Sequence, residues 1–522
     1  MYLKKHDLLQ MDDEWLKTLP TELLLEVSKR LLHDVKALQD RLNQGPENSS
    51  RPPGSQAPWE KSAGKAEAAG AQTESGASEA PAKSREDAAK AVAERPSGSN
   101  RKGSGKRPGK QPGSPGHGRT QKLAVTDACE HRPETCAVCG KTLTADAVSH
   151  SYTAWDEVDI AAQVEGEIGL RFSVTRHNLL EVRCACGHAS RAQPWRAPAD
   201  GQWEKVELGE WRLVGPRLAG VMVLLALRMR LSRARIRELL MELFDLSLSI
   251  GVIDETIREA GRASVPLEDA LVADILQVAQ LHVDETSWAE SGVPLWLWVL
   301  VSSHTALYLI GSRHREMLDN VLQGRFHGIL ISDGYAVYRA WDNRLRCWPH
   351  LMRKLRGLAE SSDGRVAGVG QEMEGILKTL MAAIYAARIE APPTALPLRH
   401  CAEVEHLRQL CEANQMDDHP VLRSVVREFL HDWKVILRPV AEPHLPLSNN
   451  AAEQALRHWV IARRISHGTR SEAGSRAFAL LVSVIETCRR RRTSAWRYLG
   501  TVIRAARQGL ALPALPAIPV GV

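Results

Sequence analysis

Between Gln44 and about Asn100 the chain has almost no large apolar residue, and this stretch limits what its 522 residues can fold into more than any other. A segment of Gly, Ser, Ala, Pro and Glu cannot bury enough surface to offset the entropy lost on ordering. The chain is therefore expected to fold as separate units joined by a disordered linker over 45–122, as its length also suggests. The end of that linker, RKGSGKRPGKQPGSPGHGRTQK from Arg101 to Lys122, holds seven Lys or Arg residues and no acid. Its glycines and prolines prevent a regular helix, so it reads as a flexible basic arm with Lys106, Arg107 and Lys110 as candidate phosphate contacts. A solubilising linker would have the same composition.

Over the whole chain the charge is nearly balanced, 68 Lys and Arg against 62 Asp and Glu, for a formal net charge of +6. That average selects no partner; the placement of the positive charge does. No run of about 18 apolar residues occurs. The N-terminal MYLKKHDLLQMDDEW also lacks the apolar core of a signal peptide, so a soluble, cytoplasmic protein without a membrane partner is expected.

Ahead of the linker, residues 1–44 contain TELLLEVSKRLLHDVKALQDRLNQ. Leu24, Leu31, Val35, Leu38 and Leu42 follow 3–4 spacing there, with Ser28 interrupting the seam. An amphipathic helix packed on its own chain and a self-associating coiled coil both fit.

Nine cysteines include the pairs Cys136-Ala-Val-Cys139-Gly and Cys184-Ala-Cys186-Gly, with 44 intervening residues. In a reducing compartment such pairs hold metal more often than they form disulfides. The alternating pattern between them suggests strands, which would join the two knuckles into a small zinc-binding β domain over 123–200. Cys136, Cys139, Cys184 and Cys186 are the expected ligands of a structural Zn²⁺. The tight C-x-C leaves room for His188, Cys129 or His131 in place of one thiolate. Over 205–270, PRLAGVMVLLALRMR, RARIRELLMELFDL and SIGVIDETIREAGRA read as three helices, either a helix-turn-helix or a spacer packed on the next domain.

The chemistry-bearing stretch begins at ILQVAQLHVDETSW, an apolar run ending in Asp284, followed by PLWLWVLVSS and TALYLIGS as adjacent strands. A second apolar strand, Gly328 to Ser332, delivers Asp333. Two aspartates at the ends of buried strands in one sheet can converge on Mg²⁺, a hard ion that accepts a few carboxylate oxygens and keeps positions for water and phosphate. Glu453, in LSNNAAEQALRHWVIARRISHGTR, is the candidate third carboxylate. Asn450 as N-cap with Glu453 three residues later would also make a capping box, a purely structural use. Arg353, Lys354, Arg457, Arg463, Arg464 and Arg470 follow these acids, as does the run Arg489 to Arg492. They read as phosphate contacts or as a solvated, locally paired face. His350 is a candidate base, a structural residue or a phosphate contact.

Taken in order, HVDET, ISDGYAVY, CWPHLMRKL and LSNNAAEQALR with the basic Gly-containing segment after it resemble the transposases of the insertion sequence sixty-six family. The resemblance runs from about Gly105 to Tyr498. RPGKQPGSPGHGRT is similar to that family's glycine-rich basic arm, and the Cys pairs to its zinc-binding domain. It implies a ribonuclease-H-like α/β catalytic domain over 271–505 with a helical insertion at about 351–445, then a tail over 506–522. It further implies a DDE triad of Asp284, Asp333 and Glu453 holding two Mg²⁺ (or Mn²⁺) ions. The implied partners are DNA, as transposon ends and target, a second copy of the chain, and accessory proteins of the element. The chain departs from the family in its C-x-C knuckle and its less basic CWPHLMRKL. Two other functions stay open: a zinc-containing DNA-binding regulator that has lost catalysis, and a two-metal nuclease that never joins strands.

Overall fold

The computed structural model describes residues 17–43, 121–162, 168–198, 206–322, 324–392 and 394–519. The linker and the basic arm with Lys106, Arg107 and Lys110 lie outside these residues, apart from the arm's last two. The described chain is a mixed α/β protein, and all its elements belong to one unit.

Helix α1 spans Thr21–Leu42. The Cys-bearing region forms a small sheet of β1 (Asp127–His131), β2 (Ser149–Ile160), β3 (Phe172–Arg183) and β4 (Ala189–Arg191). Strand β3 is central: β1 pairs with it in parallel, β2 and β4 antiparallel. Then come the three expected helices, α2 (Pro216–Leu227), α3 (Arg233–Phe244) and α4 (Ile250–Ala263), and a fourth, α5 (Leu267–Leu276). Ser232 and Ser249 cap α3 and α4 through their hydroxyls, which satisfies an N–H that a helix start leaves open. Helix α2 packs against α15 (Ala495–Arg507), and glycines permit the close approach. A Cβ at Gly220 would fall 2.4 Å from the Trp496 carbonyl oxygen.

The second sheet has the order β7-β6-β5-β8-β9. Strands β5 (Gln280–Glu290), β6 (Val293–Val301) and β7 (Ala306–Gly311) form an antiparallel meander. After α6 (Glu316–Leu322), β8 (Ile329–Ser332) returns parallel to β5, and β9 (Arg344–Arg346) adds parallel to β8. The apolar run LWVLV of β6 is buried throughout, as a strand covered on both faces should be. Helices α13 (Asn450–Ser466) and α14 (Glu472–Arg490) lie on the sheet. Ser483 and Thr487 of α14 accept from the N–H groups of Tyr308 (2.8 Å) and Ala306 (3.2 Å), so the exposed edge of β7 is covered rather than left to pair with another chain.

Two expectations change here. The apolar run before Asp284 is not all strand: its ILQ portion ends α5, whose first turn carries Glu268 and Asp269 where a helix favours acids. Asp284 therefore lies within β5, not at its end. Between β9 and α13 the chain is helical: α7 (Trp348–Ala359), α8 (Gly364–Ile389), α9 (Leu396–Arg399), α10 (Cys401–Asn414), α11 (Pro420–His431) and α12 (Trp433–Ala441). These helices share a core that includes Trp348, Leu355, Leu377, Leu380, Val426 and Phe429. No helix among the described residues is long and apolar enough to cross a membrane.

Candidate active site and metal centre

Ladder register brings the two aspartates together. The parallel pairing of β5 with β8 ends at His282 opposite Ile331; two residues further along stand Asp284, still within β5, and Asp333, just past the end of β8. They leave neighbouring strands at the same level. Asp284 Oδ1 accepts from the Glu285 N–H at 2.9 Å and Asp333 Oδ1 from the Tyr335 N–H at 2.8 Å. Burial first, then the charges of Asp333, Glu285 and Glu453, pushes the Asp284 carboxyl well above the ordinary carboxylate range. Negative charge is thus crowded where little water can screen it. Glu285 is spoken for, because Arg313 (2.8 Å) and the Tyr338 hydroxyl both hold it. The Arg313 guanidinium carbon lies over Trp296 and Tyr335, 4.0 and 4.1 Å from the ring centres.

Glu453 reaches the same place from α13, but not as a capping residue. The N-cap is Asn449, not Asn450, and it makes no side-chain cap. Fully buried, its amide donates to the Val283 carbonyl at 2.8 Å while its oxygen faces His282 Nδ1 at 3.2 Å. The start of α13 is thereby pinned to β5, one residue before Asp284. Glu453 faces His350 Nδ1 at 3.5 Å and Arg353 at 3.9 Å, both on α7. Burial and the neighbouring Arg353 lower His350 to about 4, so at neutral pH the ring is uncharged and its contact with Glu453 is polar rather than ionic. Among the described residues Cys347, His350 and Glu453 group within 4.8 Å, whereas the three acids do not form one cluster that tight.

A buried ion network ties the helical insertion to this end of the sheet. Asp432 of α11–α12 meets Arg344 (2.7 Å) and Arg346 of β9, and Glu428 meets Arg346 and Lys354 (2.6 Å). A Cβ on Gly334, next to Asp333, would press on both Arg346 and Glu428.

Several of the candidate phosphate contacts have protein partners. Lys354 is held by Glu428. Arg463 is turned back to Thr286 (3.1 Å) and Ser287 of β5. In the Arg489–Arg492 run, Arg489 pairs with Glu486, Arg490 donates to Ser302, and buried Arg491 is fixed by Asp274, Thr305 and the carbonyls of His304 and Pro516. Arg463, Arg490 and Arg491, buried or half-buried with protein partners, serve the fold, whereas Arg489 is exposed. Arg457, Arg464 and Arg470 are exposed.

In the small sheet the four thiols converge. Cys136 and Cys186 sulfurs are 3.7 Å apart, Cys139 and Cys184 sulfurs 3.5 Å, and all four fall within 4.8 Å of one another. Bonds of about 2.3 Å to one tetrahedral ion would separate sulfurs by about 3.8 Å, far longer than a disulfide. The group includes none of His188, Cys129 and His131. Each knuckle turns through a left-handed glycine, Gly140 (φ +69°) or Gly187 (φ +87°), with open space where a Cβ would stand, so the demand is conformational. Backbone N–H groups of Cys139 and Val138 lower the Cys136 thiol to about 6.

Sequence reasoning missed Asn449, His282 and the Arg346–Asp432 network. Their partners are far away in the chain, and no local spacing marks them.

The chain is 27% identical over 201 residues to uncharacterized protein y4jO of Sinorhizobium fredii (strain NBRC 101917 / NGR234), a match covering 37% of this chain and 59% of that one. The match thus spans less than two thirds of the relative's length. A family model described as "Transposase IS66 family" matches residues 212–477, which hold both sheet aspartates, Glu453 and the helical insertion. Its coverage reaches half of the chain, and the chain belongs to the IS66 family of transposases.

Proposed function

We propose that the protein is a DNA transposase that cleaves and rejoins strands at the ends of an insertion sequence, with Asp284, Asp333 and Glu453 as its catalytic carboxylates. The observation that carries this reading is the level placement of Asp284 and Asp333 on adjacent parallel strands, with Glu453 brought alongside by the Asn449 anchor. A meander of three antiparallel strands continued by two parallel ones supports a ribonuclease-H-like sheet.

The donor set fits Mg²⁺ or Mn²⁺: hard carboxylate oxygens only, crowded enough that the Asp284 carboxyl is driven up by its neighbours, a cost that a dication would relieve. When bound, two such ions would acidify a water or a 3′-hydroxyl and offset charge on the leaving oxygen of an in-line displacement. The protein's own part is positioning. Asn449 and His282 hold α13 against β5. The uncharged His350 ring and the Arg353 guanidinium flank Glu453, while Arg457, Arg464 and Arg470 offer charge to the DNA backbone. The Cys136, Cys139, Cys184 and Cys186 group would hold Zn²⁺ as a closed structural site, since four protein ligands leave no position for substrate. DNA ends and target, a second copy of the chain and accessory proteins of the element are the partners this reaction calls for.

The test is cleavage of labelled DNA bearing the element's own ends, with Mg²⁺, at matched binding. Asp284→Asn, Asp333→Asn and Glu453→Gln should each abolish nicking and leave DNA binding intact. Nicking that survives all three substitutions would refute the assignment. Nicking without joined products would favour a nuclease, and binding without nicking in the parent, with the element's accessory proteins supplied, a regulator.

A further inference from the structure

The small β sheet carries a second group of metal-binding side chains that the four-thiol centre does not use. In the parallel pairing of β1 with β3, Cys129 stands opposite His177. His131 lies two residues along β1, on the same face as Cys129, because strand side chains alternate with a period of two. Trp155 of β2 stands opposite His177 on its other side. One row across three strands therefore reads Cys129, His177, Trp155, with His131 beside it.

Side-chain geometry matches this register. His131 Nε2 and His177 Nδ1 face each other at 2.9 Å, and a ligand atom of each of Cys129, His131 and His177 lies within 4.8 Å of the others. Two nitrogens at that separation subtend about 90° at an ion placed about 2.05 Å from each, within the range of zinc–imidazole bonds. The second ring nitrogen of His177, Nε2, is buried without a hydrogen-bond partner among the described residues. The rings are also held in place: Trp155 stacks on His177 at 4.5 Å and on His131 at 5.5 Å, and Trp211 stacks on Trp155 at 5.7 Å. Such rigid packing leaves little reorganisation for a metal to impose.

We propose that Cys129, His131 and His177 form a second transition-metal site, of thiolate–bis-imidazole type and suited to Zn²⁺. Soft sulfur with two borderline nitrogens selects zinc over Mg²⁺ or Ca²⁺. Unlike the four-thiol centre it is incomplete. Three protein ligands leave a fourth position, and because Cys129 is an exposed residue, that position is open to water or a donor from another molecule. The inference stands apart from the transposase reading and uses none of its residues.

Two measurements on the full chain test it. After equilibration with Zn²⁺ and removal of unbound ion, the parent should hold two zinc ions per chain and Cys129→Ser one fewer. Cys129 is exposed, so that change leaves the core intact. Cys136→Ser should lose the other ion, which separates failure of this site from failure of the four-thiol one. Alkylation of Cys129, read from its own peptide, should slow about tenfold or more when Zn²⁺ is added, because the bound thiolate is no longer an open nucleophile. His177→Gln should abolish that protection. Equal zinc content in the parent and Cys129→Ser, or an alkylation rate that ignores zinc, would overturn the proposal.

Discussion

Asn449 does at residue scale what a cap would ordinarily do for a helix, but for another element. Instead of closing its own first turn, its amide satisfies the Val283 carbonyl and its oxygen faces His282, so one buried side chain links the helix of Glu453 to the strand of Asp284. Asn449→Ala leaves a buried carbonyl without a donor, a loss of about 1–3 kcal/mol. Because catalytic groups lose rate steeply when displaced by an ångström, cleavage measured well below the melting point should also fall about tenfold or more. A shifted melting temperature with unchanged cleavage would make Asn449 structural only. The glycines of the two knuckles work through the backbone alone. Gly140→Ala or Gly187→Ala should cost about 1–2 kcal/mol through the left-handed φ, read as weaker retention of zinc against a chelator.

Among the elements, the short strand β9 depends most on distant partners. Its sequence, Arg-Leu-Arg, is buried because Asp432 and Glu428 of the helical insertion neutralise both arginines. Asp432→Ala strands the buried Arg344 guanidinium and leaves Arg346 with Glu428 alone, and should destabilise the protein by about 3–5 kcal/mol, measured by denaturant unfolding. Against the upward push of burial, bonds from Arg344 and His431 and the charges of Arg346 and Arg344 hold the Asp432 carboxyl at about 2. That value lies below the unfolded one of about 3.9. The stabilisation is therefore present in full above about pH 4 and fades as pH falls toward 2; Asp432→Ala should lack that part of the acid dependence. Why β9 escapes a reading of the sequence follows directly. Strands β6 to β8 announce themselves as apolar runs such as LWLWVLV and ILIS, and the helices as 3.6-residue patterns. Three residues with two charges show no such pattern until partners almost ninety positions away are in place. The carboxylates themselves were legible as candidates because they sit beside apolar runs. The role of Glu453 could not be separated from capping by spacing alone, since that depends on which asparagine begins the helix.

For the molecule as a whole, α1 poses a question of partnership. It is held at its C-terminal end, where Asp40 accepts from the Ser361 hydroxyl (2.5 Å) and the Ser362 N–H (2.9 Å), and Ala37 is buried. Yet Leu24, Leu25, Leu32, Val35, Leu38 and Leu42 are exposed. Positions 24, 31 and 38 repeat every seven residues, as do 28, 35 and 42, with Ser28 the one polar member. That spacing fits the a/d seam of a coiled coil, and helices seldom leave so much apolar surface to water. If the proposed reaction pairs two DNA ends, it calls for two active sites, and α1 of a second copy is the occupant that chemistry favours. Replacing Val35 and Leu38 together by Asp puts charge into the seam without touching Ala37 or Asp40. The parent should then sediment as a dimer and the double variant as a monomer of unchanged melting temperature, still able to bind one end but unable to hold two. A parent that sediments as a monomer at micromolar concentration would mean that the seam is covered by something other than a second copy.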